Sequence, residues 1–303
     1  MSEAGRGLIA MILACTVWGL SPLFWKQLAH IPPIEVIAHR TLWSAVTFIL
    51  ILAFQRRLGV LVTALRAPRM VLTMLCAALM ISLNWLVYVW AVGSGQATEA
   101  SLGYFLFPLV AVLAGRLFYN EKLGRAQVAA VLMAALAVSL LTFGLGVVPW
   151  IALILATSFG FYGVLKKGLD LGPVVSVTGE VALIAPFAAI LIVMNPSGGG
   201  VMGQSTVDAM LLVFSGIFTA TPLILFSYAA RRAKLSSIGL VQYLNPTLQF
   251  FCAVVIFGEP FGVWHAVSFP MIWMALVVFA IASWRQEKAR TRAASSASTS
   301  STT

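Results

Sequence analysis

The stretch Ser101-Leu-Gly-Tyr-Phe-Leu-Phe-Pro108 recurs in altered form as Gly239-Leu-Val-Gln-Tyr-Leu-Asn-Pro246. The two prolines are 138 positions apart, and the same offset separates Glu121 from Glu259. In each copy the proline interrupts an apolar segment that ends at the glutamate. A chain of 303 residues with a repeat at this offset is typical of a tandem duplication, so we expect the two halves to share one fold.

The composition predicts a membrane protein. Hydrophobic residues make up 61% of the chain and charged residues only 9%, and the mean hydropathy is +0.99. So few charges cannot cover a surface that faces water, and most of this chain should therefore face lipid. The net charge of +10 does not indicate nucleic-acid binding, because the basic residues form no stripe with interleaved aromatic residues. The three cysteines lie inside apolar segments without metal-ligand spacing and are predicted to be core residues.

Ten apolar segments approach the roughly 20 residues that cross a hydrocarbon core of about 30 Å. Short connections with proline and glycine separate them. No small-residue cleavage site follows the first segment, so we predict a retained span rather than a signal peptide. The segments are residues 8–25, 36–54, 70–92, 97–118, 125–143, 147–165, 174–194, 207–230, 235–257 and 261–284.

The basic residues predict the orientation. Of the 19, all but Lys26 and Arg40 fall in alternate connections, which marks the cytoplasmic side and puts both termini there. Residues 1–145 and 146–286 then hold five spans each, so the second repeat must be inverted, and residues 287–303 are predicted to be a disordered cytoplasmic tail. The predicted fold is an all-α polytopic membrane protein with ten transmembrane helices in two inverted five-helix repeats. Inverted repeats are typical of secondary transporters, whose site lies near the midplane.

Polar and aromatic residues inside the spans predict the position of the site, because burying them in lipid costs free energy. Tyr104 and Gln242 are equivalent in the two repeats and are expected to face each other near the pseudo-symmetry axis. Pro108 and Pro246 should loosen the helices beside them and act as hinges. The alternative is that these polar residues only hold the helices together. The predicted cavity residues are Trp18, Arg40, Asn84, Tyr88, Ser101, Tyr104, Tyr162, Gln242, Tyr243 and Asn245.

Charged residues within the spans suggest further roles. Arg40, near the predicted outer mouth, is a candidate for binding a substrate carboxylate. Inversion puts His39 and Glu180 near opposite faces, so we do not expect Arg40 to pair with Glu180; His39 should instead reach its nearer surface or line a vestibule.

Two glutamates and a tryptophan mark predicted span ends. Glu121 and Glu259 are each predicted to cap the start of the following helix, with a gating role as the alternative. Trp25, directly before Lys26, is predicted to lie at the membrane interface.

Several separated motifs together resemble the EamA-type transporters of the drug/metabolite transporter superfamily, in their RarD-like branch. The resemblance covers all ten predicted spans. It implies a bacterial inner-membrane exporter with a central cavity, and some EamA-type members export amino acids, including aromatic ones. The motifs are Trp18-Gly-Leu-Ser-Pro22, Glu35-Val-Ile-Ala-His-Arg40 with Trp43-Ser44, Asn84-Trp85, Ser101-Leu-Gly-Tyr104 and Gln242-Tyr243.

The functional prediction is a secondary transporter that exports small amphipathic metabolites, foremost amino acids with aromatic or apolar side chains. No enzyme motif, metal-ligand cluster or cofactor-binding sequence is present, so no catalytic residue, metal or cofactor is predicted. The expected partners are the small-molecule substrate and the lipid bilayer of the bacterial inner membrane, with no nucleic acid, and the chain is expected to work as a monomer. The alternatives are an exporter of drugs such as chloramphenicol or of other metabolites, and a passive channel.

Overall fold

A computed structural model of the chain describes residues 3–119, 124–194, 205–230, 232 and 241–300. Helices make up nearly all of these residues, and none of them is in a strand. A single π-helical turn, Cys252–Ile256, continues the penultimate helix. The helices are α1 Glu3–Gly19, α2 Ser21–Gln27, α3 Pro33–Phe54, α4 Leu58–Leu65, α5 Pro68–Gly93, α6 Ala97–Tyr119, α7 Arg125–Leu145, α8 Trp150–Lys167, α9 Pro173–Met194, α10 Thr206–Ala230, α11 Leu244–Phe251 and α12 Val263–Ser300.

The helices confirm the prediction of an all-α polytopic membrane protein. Within the described residues, eight segments are long and apolar enough to cross a membrane, and the first of them runs through α1 and α2. Two shorter apolar helices, Trp150–Lys166 and Leu244–Ile256, coincide with the sixth and ninth predicted segments. The count of ten spans, the inversion of the repeats and the sidedness of the termini stay predictions.

Proline and glycine set several of the helix boundaries. The helices α3, α5 and α9 each begin at a proline, Pro33, Pro68 and Pro173 respectively. Proline suits the first helical position because its fixed φ is already helical and the N–H that it lacks would have no partner there. At the other end of a helix, Gly146 follows α7 with a φ of +70°, a conformation that glycine adopts without steric cost.

The chain divides into two compact units. The larger contains Met1–Ala114 and Trp150–Pro260, in which α3 packs against α9 and α10, α5 against α8, and α1 against α10. The smaller contains Gly115–Pro149 and Phe261–Thr303, in which α7 packs against α12.

Large apolar side chains remain exposed on these helices. Phe54 is 93% exposed and Phe143 85%. Exposed apolar residues are numerous along the helices of both units, which is the surface expected of a protein whose solvent is lipid.

Charged side chains complete three helix ends in the larger unit. The carboxylate of Glu259 accepts the N–H groups of Ala97 (2.8 Å) and Thr98 (2.7 Å), the first residues of α6. Glu99 accepts the N–H of Ile151 at the start of α8, 2.9 Å away. Lys26 donates to the carbonyl of Val92 at the end of α5, 3.2 Å away. Acids at helix starts and a base at a helix end are the pairings that the helix dipole favours.

One prediction about a helix cap differs from the structure. Glu259 does cap a helix, but the helix is α6, distant in sequence, and not the helix that follows the glutamate; Glu121 lies outside the described residues. The last helix continues to Ser300, and the disorder of residues 287–303 stays a prediction. The segment Glu287–Ala294 is rich in alanine, arginine, lysine and glutamate, which have high helix propensity and favour extension of the backbone beyond the span.

Candidate substrate site

A buried amide lies at the centre of a hydrogen-bond network between α5, α6 and α8. Asn84 is 1% exposed, and its Nδ2 donates to the carbonyl of Leu155 and to Oγ of Ser158, each 3.0 Å away. Its Oδ1 accepts the hydroxyl of Tyr104 at 2.8 Å. Both amide hydrogens and the carbonyl oxygen are therefore paired, which fixes the side chain.

Aromatic rings extend this network along α5, α6 and α8. The hydroxyl of Tyr88 lies 2.9 Å from Oγ of Ser21, and its ring meets that of Tyr104 edge to face at 5.5 Å. The ring of Tyr104 in turn contacts Phe159 at 6.1 Å, and Phe159 stacks on Tyr162 at 5.8 Å. Edge-to-face and offset contacts of this kind stabilise a pocket wall and leave ring faces available to an apolar group.

Arg40 is the cation of the site. It lies in the second turn of α3 and is only 7% exposed. Its guanidinium carbon is 3.9 Å from the ring centre of Trp85 and 4.7 Å from that of Trp25, and its Nε donates to Oγ1 of Thr219 at 3.1 Å. Stacking on two indoles stabilises the cation without neutralising it.

No carboxylate in the described part of the chain pairs with Arg40. Glu180, an acid within the spans of the second repeat, is bound elsewhere: it accepts the ammonium of Lys166 at 2.7 Å, Oγ of Ser176 at 2.8 Å and the hydroxyl of Tyr162 at 3.0 Å. The expectation that Arg40 and Glu180 do not pair is confirmed. A buried arginine without a counter-ion is costly and needs a partner or a function.

The predicted residues of α1 and α11 occupy a second region. Trp18 contacts the ring of Phe226 at 6.2 Å, and Oδ1 of Asn245 accepts Nε2 of Gln249 at 2.9 Å. Gln242 and Tyr243 precede α11 and are half-buried. No hydrogen bond or ring contact joins Gln242 to Tyr104 among the described residues, so their meeting at a common axis stays a prediction.

Ser101 and the two prolines are placed within or at the start of helices. The hydroxyl of Ser101 donates to the carbonyl of Thr98 in its own helix, 2.7 Å away. Pro108 lies in the interior of α6, where it removes one backbone hydrogen bond. Pro246 lies in the first turn of α11, where a missing N–H costs nothing. The position of Pro108 inside its helix therefore gives a physical reason for that helix to be softened there. The position of Pro246 in the first turn of its helix gives no such reason.

Several contributors were missed or misjudged from the sequence. Trp25 is 2% exposed and packs against Arg40, so the prediction of an interfacial residue is wrong. Lys166, in a connection predicted to be cytoplasmic, bonds Glu180, and the sequence does not predict this pair. Trp85, Ser158 and Thr219 were not predicted as site residues. The signal available for Trp85 was its adjacency to Asn84, whereas serine and threonine are common in spans and carry little signal.

The comparisons with known proteins agree with this architecture. Residues 5–143 match the EamA-like transporter family. The chain is 38% identical to the uncharacterized transporter YojE of Bacillus subtilis, covering 95% of this chain and 98% of that protein. It is 39% identical to Protein RarD of Streptomyces exfoliatus, covering 97% and 95% of the two chains.

A solved crystal structure shares the fold. It has a TM-score of 0.58 and 19% sequence identity, and the similarity covers 92% of this chain and 98% of that one. The apolar helices, the family match and relatives aligned over nearly their whole length lead to one conclusion: the chain is a multi-pass membrane protein of the EamA-like transporter family, in the RarD-like branch of the drug/metabolite transporter superfamily.

Proposed function

We propose that this chain exports small amphipathic metabolites, foremost amino acids with an aromatic or apolar side chain, across the bacterial inner membrane by alternating access. The observation that carries the proposal is Arg40, a guanidinium buried within a span, stacked on two indoles and without a carboxylate partner among the described residues. A substrate carboxylate would supply the missing counter-ion through a bidentate pair with the terminal nitrogens.

The surroundings of Arg40 favour an aromatic or apolar group on the same substrate. Trp25, Trp85 and the edge-to-face pair of Tyr88 and Tyr104 pack in one apolar cluster and give ring surface for such a group. Sites for small molecules are typically apolar and aromatic with a few polar groups that fix orientation. A free amino acid with a carboxylate and an aromatic side chain satisfies both requirements.

Counterflow in proteoliposomes tests the proposal. Vesicles containing the purified chain are loaded with unlabelled phenylalanine and diluted into a trace of labelled phenylalanine. A carrier accumulates label above equilibrium only in preloaded vesicles, because exchange is faster than net efflux. Flux that does not saturate and ignores the preload would indicate a channel.

Two variants connect the counterflow to the proposed cavity. Tyr104→Ala and Gln242→Ala are expected to reduce counterflow while expression is retained, because each removes a polar group expected to line the path. Full counterflow in both variants would reject the midplane cavity.

A further inference from the structure

We propose that His39, together with Glu35, forms a proton-binding site through which export is driven by proton entry. The inference rests on the proposed transport function and adds a coupling ion to it. It concerns the two ionisable residues one turn apart at the start of α3, beside Arg40 but separate from its stacking contacts.

His39 is a buried histidine without hydrogen bonds. It is 1% exposed, and neither Nδ1 nor Nε2 has a partner among the described residues. The expectation that His39 reaches its nearer surface is therefore wrong, and the alternative that it lines a vestibule stays a prediction. Buried polar atoms without a partner are uncommon, and each costs the free energy of its lost hydration. An imidazole kept in this state within a membrane span calls for a function that uses its free nitrogens.

Glu35 connects His39 to an opening in the protein surface. It precedes His39 by one helical turn and is 5% exposed. It also lines a pocket of about 280 Å³ between the start of α3 and the end of α9, with Pro32 and Ala38 on one side and Leu191 and Met194 on the other. This end of α3 is the one that the basic residues predict to be outside. Water in this pocket can deliver a proton to Glu35 and from there to His39.

Two other acids on the helices packed against α3 have basic partners. On α9, Glu180 is paired with Lys166, and on α10 Asp208 is paired with His30 at 2.9 Å. On α5, the hydroxyl of Tyr88 is bonded to Ser21, and α4 carries no titratable residue. The remaining titratable side chains on the described elements packed against α3 make no hydrogen bond with the His39 ring; they are Arg69 and Cys76 of α5 and Tyr228 of α10. Glu35 is the acid one helical turn from His39 on the same helix, and the proposed proton site consists of these two residues.

The proton balance is simple. One ring nitrogen of His39 accepts a proton from the outer pocket to give an imidazolium, whose charge Glu35 offsets. The same N–H bond breaks when the site opens inward, and the proton passes to cytoplasmic water while one substrate molecule leaves. With a zwitterionic amino acid as substrate, each cycle carries one positive charge inward, so an inside-negative membrane potential also drives export.

The test measures protons and substrate in the same vesicles. Proteoliposomes are loaded with phenylalanine and the pH-sensitive dye pyranine, then diluted into phenylalanine-free buffer. We expect the lumen to acidify as phenylalanine leaves, and we expect His39→Gln to lose this acidification while exchange of phenylalanine stays measurable. His30→Gln is the matched control, because its histidine is exposed and paired at the surface; it should acidify like the wild type.

The outcomes separate the two claims. Phenylalanine counterflow without acidification in the wild type, or acidification of the wild-type size in His39→Gln, would overturn the proton site and leave the carrier standing. Absence of counterflow in the wild type would reject the proposed function. The proton site is then decided by NMR of the full chain in nanodiscs with labelled histidine, where a His39 imidazole that never protonates while the protein is folded would overturn it.

Discussion

The polar side chains of the larger unit are of two kinds, those whose hydrogen-bonding capacity is used and those with capacity left over. Asn84 is of the first kind, with every amide group paired. Arg40 and His39 are of the second kind, buried to within a few per cent and without an acidic partner or a hydrogen-bonded ring nitrogen, respectively, in the described part of the chain. Paired groups fix the geometry of a site, and unpaired ones are available to a ligand.

The hydrogen bond between Tyr104 and Asn84 makes a prediction about stability. Tyr104→Phe keeps the ring but leaves Oδ1 of Asn84 without this donor, which should cost about 1–3 kcal/mol of folding free energy. The loss is measured as a fall in the midpoint of thermal unfolding of the purified chain in nanodiscs. Tyr243→Phe is the control, because that hydroxyl makes no hydrogen bond to the described part of the chain, and an equal fall in both variants would contradict the assignment.

Residue identity predicts these groups better than it predicts their partners. Four of these groups could be recognised because burying polar atoms inside an apolar segment costs free energy and therefore indicates a role. They are Asn84, Tyr88, Tyr104 and Arg40. Their partners depend on which helices pack together: Ser158, which accepts from Asn84, is 74 positions away. Trp25 shows the reverse error, because adjacency to Lys26 suggested an interface while the packing of α2 buries the indole.

The helices are joined at their ends by side chains from distant parts of the sequence. Glu259 caps α6, and Glu99 in the first turn of α6 caps α8. The start of α6 is therefore bonded both to the segment before α12 and to the start of α8. Apolar segment lengths and the positions of proline predicted most helix bounds, since these are local properties. Which helix Glu259 caps could not be predicted, because the capping residue is distant in sequence and the sequence of the capped helix does not indicate it.

The two caps predict different local effects. Glu259→Ala should expose the amides of Ala97 and Thr98, and Glu99→Ala those of Ile151 and Ala152, with a cost of about 1–2 kcal/mol at each helix start. Hydrogen–deuterium exchange followed by mass spectrometry resolves the two peptides. Each variant is the control for the other, and faster exchange at both helix starts in either variant would mean that the caps are not local.

Close contacts between helix backbones add a constraint in the same unit. A side chain at Gly216 of α10 would overlap the backbone of Trp43 in α3, and one at Gly103 of α6 would come within 2.9 Å of the carbonyl of Ala152 in α8. Glycine at these positions allows the helices to approach, as small residues do in membrane interiors. The contact at Gly216 holds α3 and α10 together one helical turn from Arg40 and Thr219.

The arrangement of the chain in the bilayer is predicted by the basic residues and can be tested directly. After replacement of the native cysteines, Ser94→Cys, in the exposed connection after α5, should react with a membrane-impermeant maleimide in intact cells. Thr63→Cys, on an exposed face of α4, should react only after permeabilisation. Labelling of Thr63→Cys in intact cells would reverse the predicted orientation.

The sequence repeat predicts an inverted pair of five-helix halves. That Tyr104 and Gln242 face each other near the pseudo-symmetry axis stays a prediction. The membrane class, the helical fold and the transporter family were accessible from composition, hydropathy and motifs, because lipid imposes the same requirements on every span. The charge state and partners of single buried groups were not, because they depend on packing between helices far apart in sequence.

The proposed transport function depends most on Arg40 as the group that binds a substrate carboxylate. The direct measurement is counterflow of labelled phenylalanine in Arg40→Gln and Arg40→Lys vesicles, with phenylalanine amide, which lacks the carboxylate, as competing solute. We expect Arg40→Gln to abolish counterflow, Arg40→Lys to weaken it because a lysine cannot form the bidentate pair, and the amide to compete poorly with the wild type. Arg69→Gln, at an exposed position of α5, should behave like the wild type. Wild-type counterflow in Arg40→Gln, or equal competition by the amide and the acid, would contradict the account.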